Sequence, residues 1–322
     1  MRHSQPIERK TDERYPLVSV VIPTHNRKDK LIRLIYSVLQ SNYPKNKLEI
    51  IVVDDASTDG TCAAILTRFQ ELISKETLKI VSQKKNIFLA KARNIGMSFA
   101  KGKYIFFVDD DNILDKDCVL HLVDVMESDS RIGVAGPLMF YYSCPNKIWC
   151  AGGKLNFILR PYHLFKGKDI RRIKLSSIID DIDYFPNAYM VRENICAFVQ
   201  HDDKNFPHNW EEQDFCIKIK RMGYKIVTVK NAKIWHDIDY DGYITRLGPF
   251  KTYDQAKSRI VFLRKYGNLF QKISFWAAVF PASTFYYLYK ILTVPSDSKL
   301  EIIRSYIKGT IEGIKCKNLE NN

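Results

Sequence analysis

Three consecutive carboxylates, Asp109, Asp110 and Asp111, are the residues of this chain best suited to chemistry. They follow the apolar run 104–108 (YIFFV), which is too short for a typical helix and predicts a buried strand. The acids should therefore lie at the carboxyl end of that strand, where open α/β sheets bind ligands. Oxygen-only clusters suit Mg²⁺ or Mn²⁺, which usually bind a diphosphate as well. We predict a metal and diphosphate site here, with a solvated acidic turn as the alternative.

Polar residues also follow two earlier apolar runs that predict buried strands. Residues 17–22 (LVSVVI) run into Pro23 and Thr24, and residues 49–53 (EIIVV) run into Asp54 and Asp55. Segments of helical periodicity separate these runs, at 31–39, 61–72 and 90–100. Alternating strands and helices predict right-handed βαβ units, so the fold class is α/β with a mostly parallel central sheet. The polar strand ends would then line one nucleotide-sized cleft.

The remaining chain is less regular. We predict a helix at 119–126, strands at 132–137, 185–191 and 224–229, and an irregular segment at 140–180. Asn26 or Asp29 is the expected cap of the first helix. No Gly-x-Gly-x-x-Gly or Gly-x-x-x-x-Gly-Lys loop occurs, which argues against a dinucleotide site or a P-loop. The predicted domains are a flexible lead-in (1–16), a catalytic domain (17–250) and a C-terminal helical region (251–322).

Composition favours a globular protein with an anionic partner. The 322 residues include 50 Lys and Arg against 36 Asp and Glu, a net charge of +14, which suits a nucleotide, a lipid phosphate, an anionic membrane or nucleic acid. The seven cysteines are scattered singly, which is typical of reduced thiols. The first 15 residues lack the apolar core of a signal peptide. We therefore expect a cytoplasmic location.

The segment 273–292 is rich in aromatic residues but contains Pro281 and Lys290. Its length is borderline for a spanning helix, and its composition is too polar. Flanking basic residues and aromatic rings favour a segment that lies on the cytoplasmic face of a membrane. An amphipathic pair with the helix predicted at 302–314, packed on the catalytic domain, is the alternative.

Five ordered motifs between about residues 18 and 236 resemble the family-2 inverting glycosyltransferases of GT-A fold. The opening strand and its loop (18–27) are similar to the family's first nucleotide-binding segment, and residues 52–61 resemble the second. Residues 92–96 (ARNIG) match the helix before the metal motif, and 109–111 resemble the Asp-x-Asp motif itself. Residues 211–214 (EEQD) stand where the family has the acidic start of its catalytic helix.

The resemblance implies a role for each matching residue. Asp54 or Asp55 would accept the imide N–H of the base, because a carboxylate accepts only from a donor such as uracil or thymine N3. Arg93 would bind the base or the phosphates, and Asp109 the ribose or a metal-bound water. Asp111 would bind Mg²⁺ or Mn²⁺, with His236 completing the metal shell or being an ordinary strand-end histidine. The nucleotide would be lined by Pro23, Thr24, Asn26, Arg27 and Asp110.

The implied reaction moves a sugar from a UDP-, dTDP- or GDP-sugar to a hydroxyl of a glycan or lipid-linked acceptor. A metal-bound diphosphate leaves without a general acid, and one carboxylate deprotonates the acceptor for a single inverting displacement. By resemblance the base is Glu212, with Glu211 and Asp214 as the other candidates. A polyprenyl-phosphate sugar synthase is an alternative. A basic nucleic-acid-binding protein is the alternative from another class, but the basic residues are dispersed and no RNA-binding signature occurs.

Overall fold

The computed structural model describes residues 15–157, 160–238, 248–293, 298–317 and 319. Most of the predicted lead-in (1–16) lies outside these ranges. The strands are β1 (Val18–Thr24), β2 (Leu48–Asp54), β3 (Leu78–Ser82), β4 (Tyr104–Val108), β5 (Asn112–Leu114), β6 (Ile132–Tyr141), β7 (Ile148–Cys150), β8 (Gly153–Lys154), β9 (Tyr162–His163), β10 (Ile178–Ile179), β11 (Ala188–Arg192) and β12 (Lys225–His236).

Eleven α-helices occur within the described ranges, with one turn of π-helix at Phe275–Val279 between α9 and α10. The helices are α1 (Lys28–Leu39), α2 (Thr61–Arg68), α3 (Gln70–Ser74), α4 (Leu89–Phe99), α5 (Cys118–Ser128), α6 (Glu193–Cys196), α7 (Glu211–Arg221), α8 (Pro249–Tyr266), α9 (Leu269–Ser274), α10 (Phe280–Thr293) and α11 (Lys299–Lys315).

A mixed central sheet has the strand order β10-β12-β6-β11-β4-β1-β2-β3. The half formed by β4, β1, β2 and β3 is parallel, as the alternating pattern predicts. Strand β11 runs antiparallel between β4 and β6, and β12 then pairs parallel with β6. Strands β1 and β4 are fully buried, which explains their continuous apolar sequences. This arrangement brings the ends of β1, β2 and β4 to one edge.

Helix α4 lies unusually close to the parallel half of the sheet. A Cβ on Gly96 would stand 2.3 Å from Val21 Cγ1 and 3.2 Å from Val53 Cγ2, so only glycine fits here. The close approach fixes Arg93, one turn earlier on the same helix, beneath the end of β4. The sequence ARNIG is therefore both a packing motif and a means of positioning a charge.

Several boundaries differ from the sequence predictions. The helix expected at 61–72 is two helices, α2 and α3, divided at Phe69. The segment expected to be irregular contributes four short strands, β7 to β10, whose residues lack a long alternating pattern. The strand predicted at 224–229 continues to His236 as one strand, β12, which is interrupted by a bulge after Val229.

The C-terminal helices pack on the sheet domain and on each other. Helix α8 buries Val261 and Phe262 against Phe206, and α11 lies along α8 with Gly309 close to the Tyr253 backbone. No helix within the described ranges has the length and apolar character needed to cross a membrane. Much of α10 remains exposed, since only Ile291 of its residues is buried.

Candidate active site

A cavity of about 520 Å³ opens at the edge where β1, β2 and β4 end. The Asp triplet and the start of α7 therefore face one space, as the sequence predicts for a cleft. Nine of the predicted site residues line it: Pro23, Thr24, Arg27, Asp55, Asp109, Asp110, Asp111, Glu212 and His236. The other five predicted residues, Asn26, Asp54, Arg93, Glu211 and Asp214, do not line this cavity in the described structure.

Asp110 and Asp111 are held by hydrogen bonds from the end of β1 and the loop after it. Thr24 Oγ1 donates to Asp110 Oδ2 at 2.7 Å. Arg27 Nη1 lies 3.0 Å from Asp110 Oδ1 and 2.7 Å from Asp111 Oδ2, so one guanidinium bridges both acids. The Arg27 side chain is about half exposed, at 49%. A cation thus already sits between the two acids.

The two acids differ in their proton affinity. Burial raises the pKa of Asp110 to about 6, although the positive charge of Arg27 opposes the shift. Burial would also raise the pKa of Asp111, but His236 and Arg27 outweigh it and hold that pKa well below its usual range. Asp111 is therefore the carboxylate that stays ionised at any physiological pH.

The geometry of Asp111 and His236 fits a divalent metal. His236 Nε2 lies 3.3 Å from Asp111 Oδ1, close to the spacing of about 3 Å expected of neighbouring ligands on a small octahedral cation. Asn187 Nδ2 lies 3.1 Å from the same His236 nitrogen, and Trp149 packs edge-on against the ring at 4.4 Å. Among the described residues no three ligand side chains gather at one point. Mg²⁺ and similar ions typically take one or two protein carboxylates plus phosphate and water, so a partial set is adequate.

Asp55 and Asp54 occupy different environments at the end of β2. Asp55 lines the cavity, and its two carboxylate oxygens accept backbone N–H groups of Ile87 at 2.6 Å and Phe88 at 3.0 Å. Asp54 is buried and accepts from the Ser57 backbone N–H instead. Of the two candidates for the base contact, only Asp55 is accessible from the cavity.

Asn26 connects two loops and does not cap α1. Its Oδ1 accepts the Thr58 backbone N–H at 2.6 Å, and its backbone φ is +53°. The residue at the N-cap of α1 is Arg27, whose side chain caps nothing. Asp59 accepts the Lys28 N–H at 3.2 Å from the neighbouring loop, so the expected cap by Asn26 or Asp29 is replaced by a distant carboxylate.

Arg93 is fully buried and lies behind the cleft. Its Nη2 donates to Asp109 Oδ1 at 2.6 Å, and its Nη1 donates to Glu211 and, at 3.1 Å, to Glu212 Oε1. The guanidinium also lies 5.6 Å from the Tyr189 ring centroid. This placement differs from the predicted contact with base or phosphates, because three carboxylates already surround the charge. Arg93 instead joins the Asp triplet to the start of α7.

Glu212 is the acid of α7 that faces the cleft. Its Oε1 accepts the Asn187 backbone N–H at 2.8 Å in addition to Arg93. Burial raises the pKa of Glu212, while Arg93 opposes the shift. The carboxylate is thus fixed in orientation and is a better proton acceptor than an exposed glutamate would be.

Glu211 and Asp214 are fully buried and have other contacts. Glu211 pairs with Arg93, and burial raises its pKa well above the usual value. Asp214 accepts from Lys265 Nζ at 2.7 Å and from Tyr266 Oη at 2.6 Å, which anchors α7 to α8. Neither carboxylate reaches the cavity, so the geometry separates them from Glu212.

Asn187 is a site residue that the sequence analysis missed. It has a φ of +70°, its backbone carbonyl accepts the Asp109 N–H at 3.0 Å, and its N–H holds Glu212. The same residue therefore touches the triplet, the candidate base and the candidate metal ligand His236. In the sequence, only the Pro-Asn pair just before β11 indicates an unusual backbone at this position. That pair does not predict contacts with Asp109, Glu212 or His236, which are distant in sequence. Trp149, His208, Phe88 and Phe250 also line the cavity without having been predicted.

The comparisons with known proteins agree on a family. The family model described as glycosyl transferase family 2 matches residues 19–190, more than half of the chain. A putative teichuronic acid biosynthesis glycosyltransferase, TuaG, of Bacillus subtilis is 38% identical over 102 residues, 32% of this chain and 38% of the relative. The poly(ribitol-phosphate) β-N-acetylglucosaminyltransferase TarP of Staphylococcus aureus is 29% identical over 69% of this chain and 61% of the relative. The chain thus spans less than two thirds of these relatives' lengths.

Solved structures share the fold at low sequence identity. GalNAc-T7, solved with UDP, GalNAc and Mn²⁺, superposes with a TM-score of 0.66 at 18% identity, over 95% of this chain and 56% of that one. Residues 1–349 of TarS from S. aureus give 0.56 at 18% identity, over 92% and 81%. A mannosyltransferase of Pyrobaculum calidifontis, solved with GDP-mannose and Mn²⁺, gives 0.56 at 17% identity, over 94% and 88%.

The fold is thus the GT-A fold, with the C-terminal helices added to it. The matching segment contains most of β1, all of β2, the Asp triplet and Asn187, whereas Glu212 and His236 of the cleft lie beyond it. This chain belongs to glycosyl transferase family 2.

Proposed function

We propose that the protein transfers a sugar from a nucleotide-diphosphate donor to a hydroxyl of a glycan or lipid-linked acceptor, with inversion at the anomeric carbon. The observation that carries this proposal is the position of Glu212, whose carboxylate lines the same cavity as Asp109, Asp110 and Asp111. The residues proposed to act on the leaving diphosphate and the residue proposed to deprotonate the attacking hydroxyl therefore face one cavity. The names of the relatives and of the structural neighbours support a nucleotide-sugar donor.

The donor's nucleotide is assigned to the half of the cleft formed by the loops after β1 and β2. Asp55 stands there with Pro23 and Thr24, and Phe88 stacks on Phe250 at 4.7 Å beside them. A carboxylate of Asp55 accepts an N–H from uracil or thymine, while the flat aromatic pair borders the base. Arg27 moves from its two aspartates to the diphosphate, which is a stronger acceptor for a guanidinium.

Asp111 and His236 are the residues proposed to hold Mg²⁺ or Mn²⁺, and Asp109 would contact the ribose or a metal-bound water. A metal held there would supply neutralisation of the charge on the departing diphosphate. Structural neighbours were solved with Mn²⁺, which supports this choice of ions. Asn187 Nδ2 contacts the same His236 nitrogen that faces Asp111, so a metal bound there would displace this amide contact.

Glu212 is the proposed general base. It receives the proton of the acceptor hydroxyl as that oxygen attacks the anomeric carbon from the face opposite the diphosphate, which gives inversion. Arg93 and the Asn187 N–H hold the carboxylate in place. A polyprenyl-phosphate sugar synthase would need little deprotonation of its acceptor, so it predicts that Glu212 is nearly dispensable.

Asp111→Asn tests the metal part of the proposal. The full-length protein is incubated with Mn²⁺, an acceptor mixture and labelled UDP-, dTDP- and GDP-sugars in turn, and transfer is measured. We expect the variant to lose at least about 100-fold in rate, because an amide cannot replace the anionic ligand. Asp129→Asn, at an exposed ion pair far from the cleft, is the control and should behave as wild type. Normal metal-dependent transfer by the Asp111 variant would refute the metal assignment.

We also propose that the C-terminal helices lie on the anionic, cytoplasmic face of a membrane. Phe270 and Phe285 are 69% and 76% exposed, and Lys272 and Lys290 flank them. Exposed aromatics with nearby lysines suit an interface that is apolar below and anionic above.

Flotation with phosphatidylglycerol-containing vesicles tests the membrane proposal. Wild type should bind the vesicles, and the double variant Phe270→Ser/Phe285→Ser should not. The variant lacks the two aromatic side chains that the lipid would bury. Phe198→Ser is the matched control, since Phe198 is 79% exposed but lies outside the C-terminal helices. Equal binding of all three proteins would contradict a role for this face.

A further inference from the structure

A second cavity, of about 350 Å³, adjoins the cleft. The two cavities share Trp149, Pro186, His208 and Glu212, so the candidate base forms part of the wall between them. Most of the second cavity is built by elements that the family model does not cover, namely α7, α8, α10 and α11. An acceptor bound there would reach Glu212 from the side away from the nucleotide.

Cationic and aromatic side chains dominate this second cavity. Arg160 and Arg259 line it, whereas Glu212 is the one carboxylate among its described lining residues. The guanidinium of Arg160 lies 5.7 Å from the centroid of the Tyr287 ring, and that of Arg259 lies 4.9 Å from the Phe275 centroid. Aromatic faces orient guanidinium groups but leave their net charge in place.

The two arginines influence each other electrostatically. Burial and, next, the positive charge of Arg160 lower the pKa of Arg259 to about 10. Two neighbouring like charges in a partly buried cavity are costly, and an anion between them removes that cost. Arginine also matches the oxygens of a phosphate through two parallel N–H donors.

Buried polar atoms that lack a hydrogen-bond partner indicate which other groups a ligand of this cavity would carry. Trp149, Gln213 and Thr310 line the cavity. Their atoms Nε1, Oε1 and Oγ1, respectively, are buried without a hydrogen-bond partner in the part of the chain that the structure describes. Buried polar groups are normally satisfied, by protein, water or ligand. A donor, an acceptor and a hydroxyl in one small cavity suit a ligand with several hydroxyl groups.

We propose that this cavity is the acceptor subsite and that it takes a polyhydroxylated acceptor carrying a phosphate, which Arg160 and Arg259 bind. The inference rests on the proposed function. The acceptor hydroxyl gives its proton to Glu212, and its oxygen forms the new bond to the anomeric carbon. The bond from that carbon to the diphosphate breaks, and its electron pair leaves with the nucleoside diphosphate. The acceptor's phosphate is a recognition group and remains unchanged.

The test measures transfer to a panel of sugar and alditol phosphates, to their dephosphorylated counterparts, and to a phosphosaccharide anchored on a lipid in phosphatidylcholine vesicles. Phosphate-bearing acceptors should have a kcat/KM at least about tenfold above their phosphate-free partners, as expected for a charge-assisted contact. Comparing kcat/KM for the soluble phosphorylated acceptors with that for the lipid-anchored phosphosaccharide then shows which kind of acceptor is preferred. Equal use of phosphorylated and phosphate-free acceptors would overturn the proposal.

Arg160→Gln and Arg259→Gln should raise KM for phosphate-bearing acceptors by about 10-fold or more and leave kcat nearly unchanged. Arg259→Lys, which keeps the charge, should recover part of this loss. Arg304→Gln, an exposed arginine of α11 that lines only a shallow outer pocket, is the control. Unchanged KM in both glutamine variants, with folding checked by thermal unfolding, would also overturn the proposal.

Two further measurements separate this inference from the proposed function. Slow hydrolysis of the nucleotide sugar without acceptor depends on the cleft alone, so the arginine variants should retain it. Its absence in wild type with every donor would count against the proposed function. Calorimetric binding of the phosphorylated panel, with the same variants, tests the subsite without any transfer; no difference between wild type and Arg160→Gln would overturn the subsite.

Discussion

At the scale of single residues, Asn187 contacts both parts of the proposed active site, namely the metal and diphosphate site and the general base. Its backbone N–H holds Glu212, its carbonyl accepts from the Asp109 N–H, and its side chain contacts His236. A left-handed backbone at φ +70° makes all three contacts possible at once, and asparagine tolerates this conformation better than most residues. Backbone and side chain therefore have separable tasks.

Asn187→Gly separates those tasks. Glycine adopts a positive φ without strain, so the backbone contacts to Glu212 and Asp109 should persist while His236 loses its amide partner. We expect Mn²⁺ affinity to rise, because the amide no longer occupies the His236 nitrogen that a metal would need, with little change in kcat at saturating metal. Electron paramagnetic resonance titration of Mn²⁺ measures the affinity directly. An unchanged or lower Mn²⁺ affinity would contradict metal binding at this His236 nitrogen.

The sequence predicts the residues of the cleft better than their partners. The Asp triplet, Asp55 and Glu212 follow strand ends or open a helix, so local pattern and resemblance identify them. Arg93 is different: its carboxylate partners on α7 lie 118 and 119 positions away, and no local rule shows that they enclose it. Trp149 lies in the segment predicted to be irregular, and Asn187 lies inside the strand predicted at 185–191, although β11 begins only at Ala188. Neither pattern marks these residues as part of a site.

At the scale of elements, His201 joins three of them. Tyr189 Oη on β11 lies 2.6 Å from His201 Nε2, Asn94 on α4 accepts the His201 backbone N–H at 2.9 Å, and Phe215 on α7 stacks on the ring at 4.2 Å. Burial lowers the pKa of His201 well below its usual value, with the charge of Arg93 adding to the shift. The same elements carry Arg93 and Glu212, so this contact supports the cleft from beneath.

This burial predicts a pH-dependent stability. His201 is neutral in the folded state, whereas in the unfolded chain it binds a proton near pH 6.5. The stability it contributes is therefore fully present above about pH 6.5 and is lost as pH falls below that value, by up to about 1.4 kcal/mol per pH unit. Urea unfolding between pH 7.5 and 5 should give a shallower pH slope for His201→Gln than for wild type. Identical slopes would show that His201 takes up its proton in the folded state.

The parallel half of the sheet follows from the sequence because its strands are buried on both faces and read as unbroken apolar runs. The order and direction of the strands in the other half of the sheet do not follow from the sequence. Strand β11 enters antiparallel between β4 and β6, and β12 continues through a bulge into the edge that carries His236. These pairings are set by contacts between distant segments, and the short strands β7 to β10 have too few residues to show a period.

At the scale of the whole molecule, the chain joins a cleft built mostly by the family-matched segment to a wall formed by residues after 190. The family model ends at residue 190, whereas Glu212 lies on α7 beyond it, held against α8 by Asp214, Lys265 and Tyr266. The C-terminal helices were predicted to lie on a membrane or to pack on the catalytic domain; the structure has them packed on it, with an exposed aromatic face left over. The packed faces of these helices thus support the catalytic domain, and the exposed aromatic face is the one proposed to contact the membrane.

The most direct test of the account compares wild type with Glu212→Gln in one experiment: donor binding by calorimetry with Mn²⁺, and the rate of sugar transfer to acceptor. The amide keeps the shape of the side chain but cannot accept the proton, so we expect kcat to fall about 10²- to 10⁴-fold with donor affinity nearly unchanged. Glu193→Gln, an acid at the start of α6 that lines neither cavity, serves as the control. A Glu212→Gln enzyme that transfers sugar at the wild-type rate would contradict the assignment of the base.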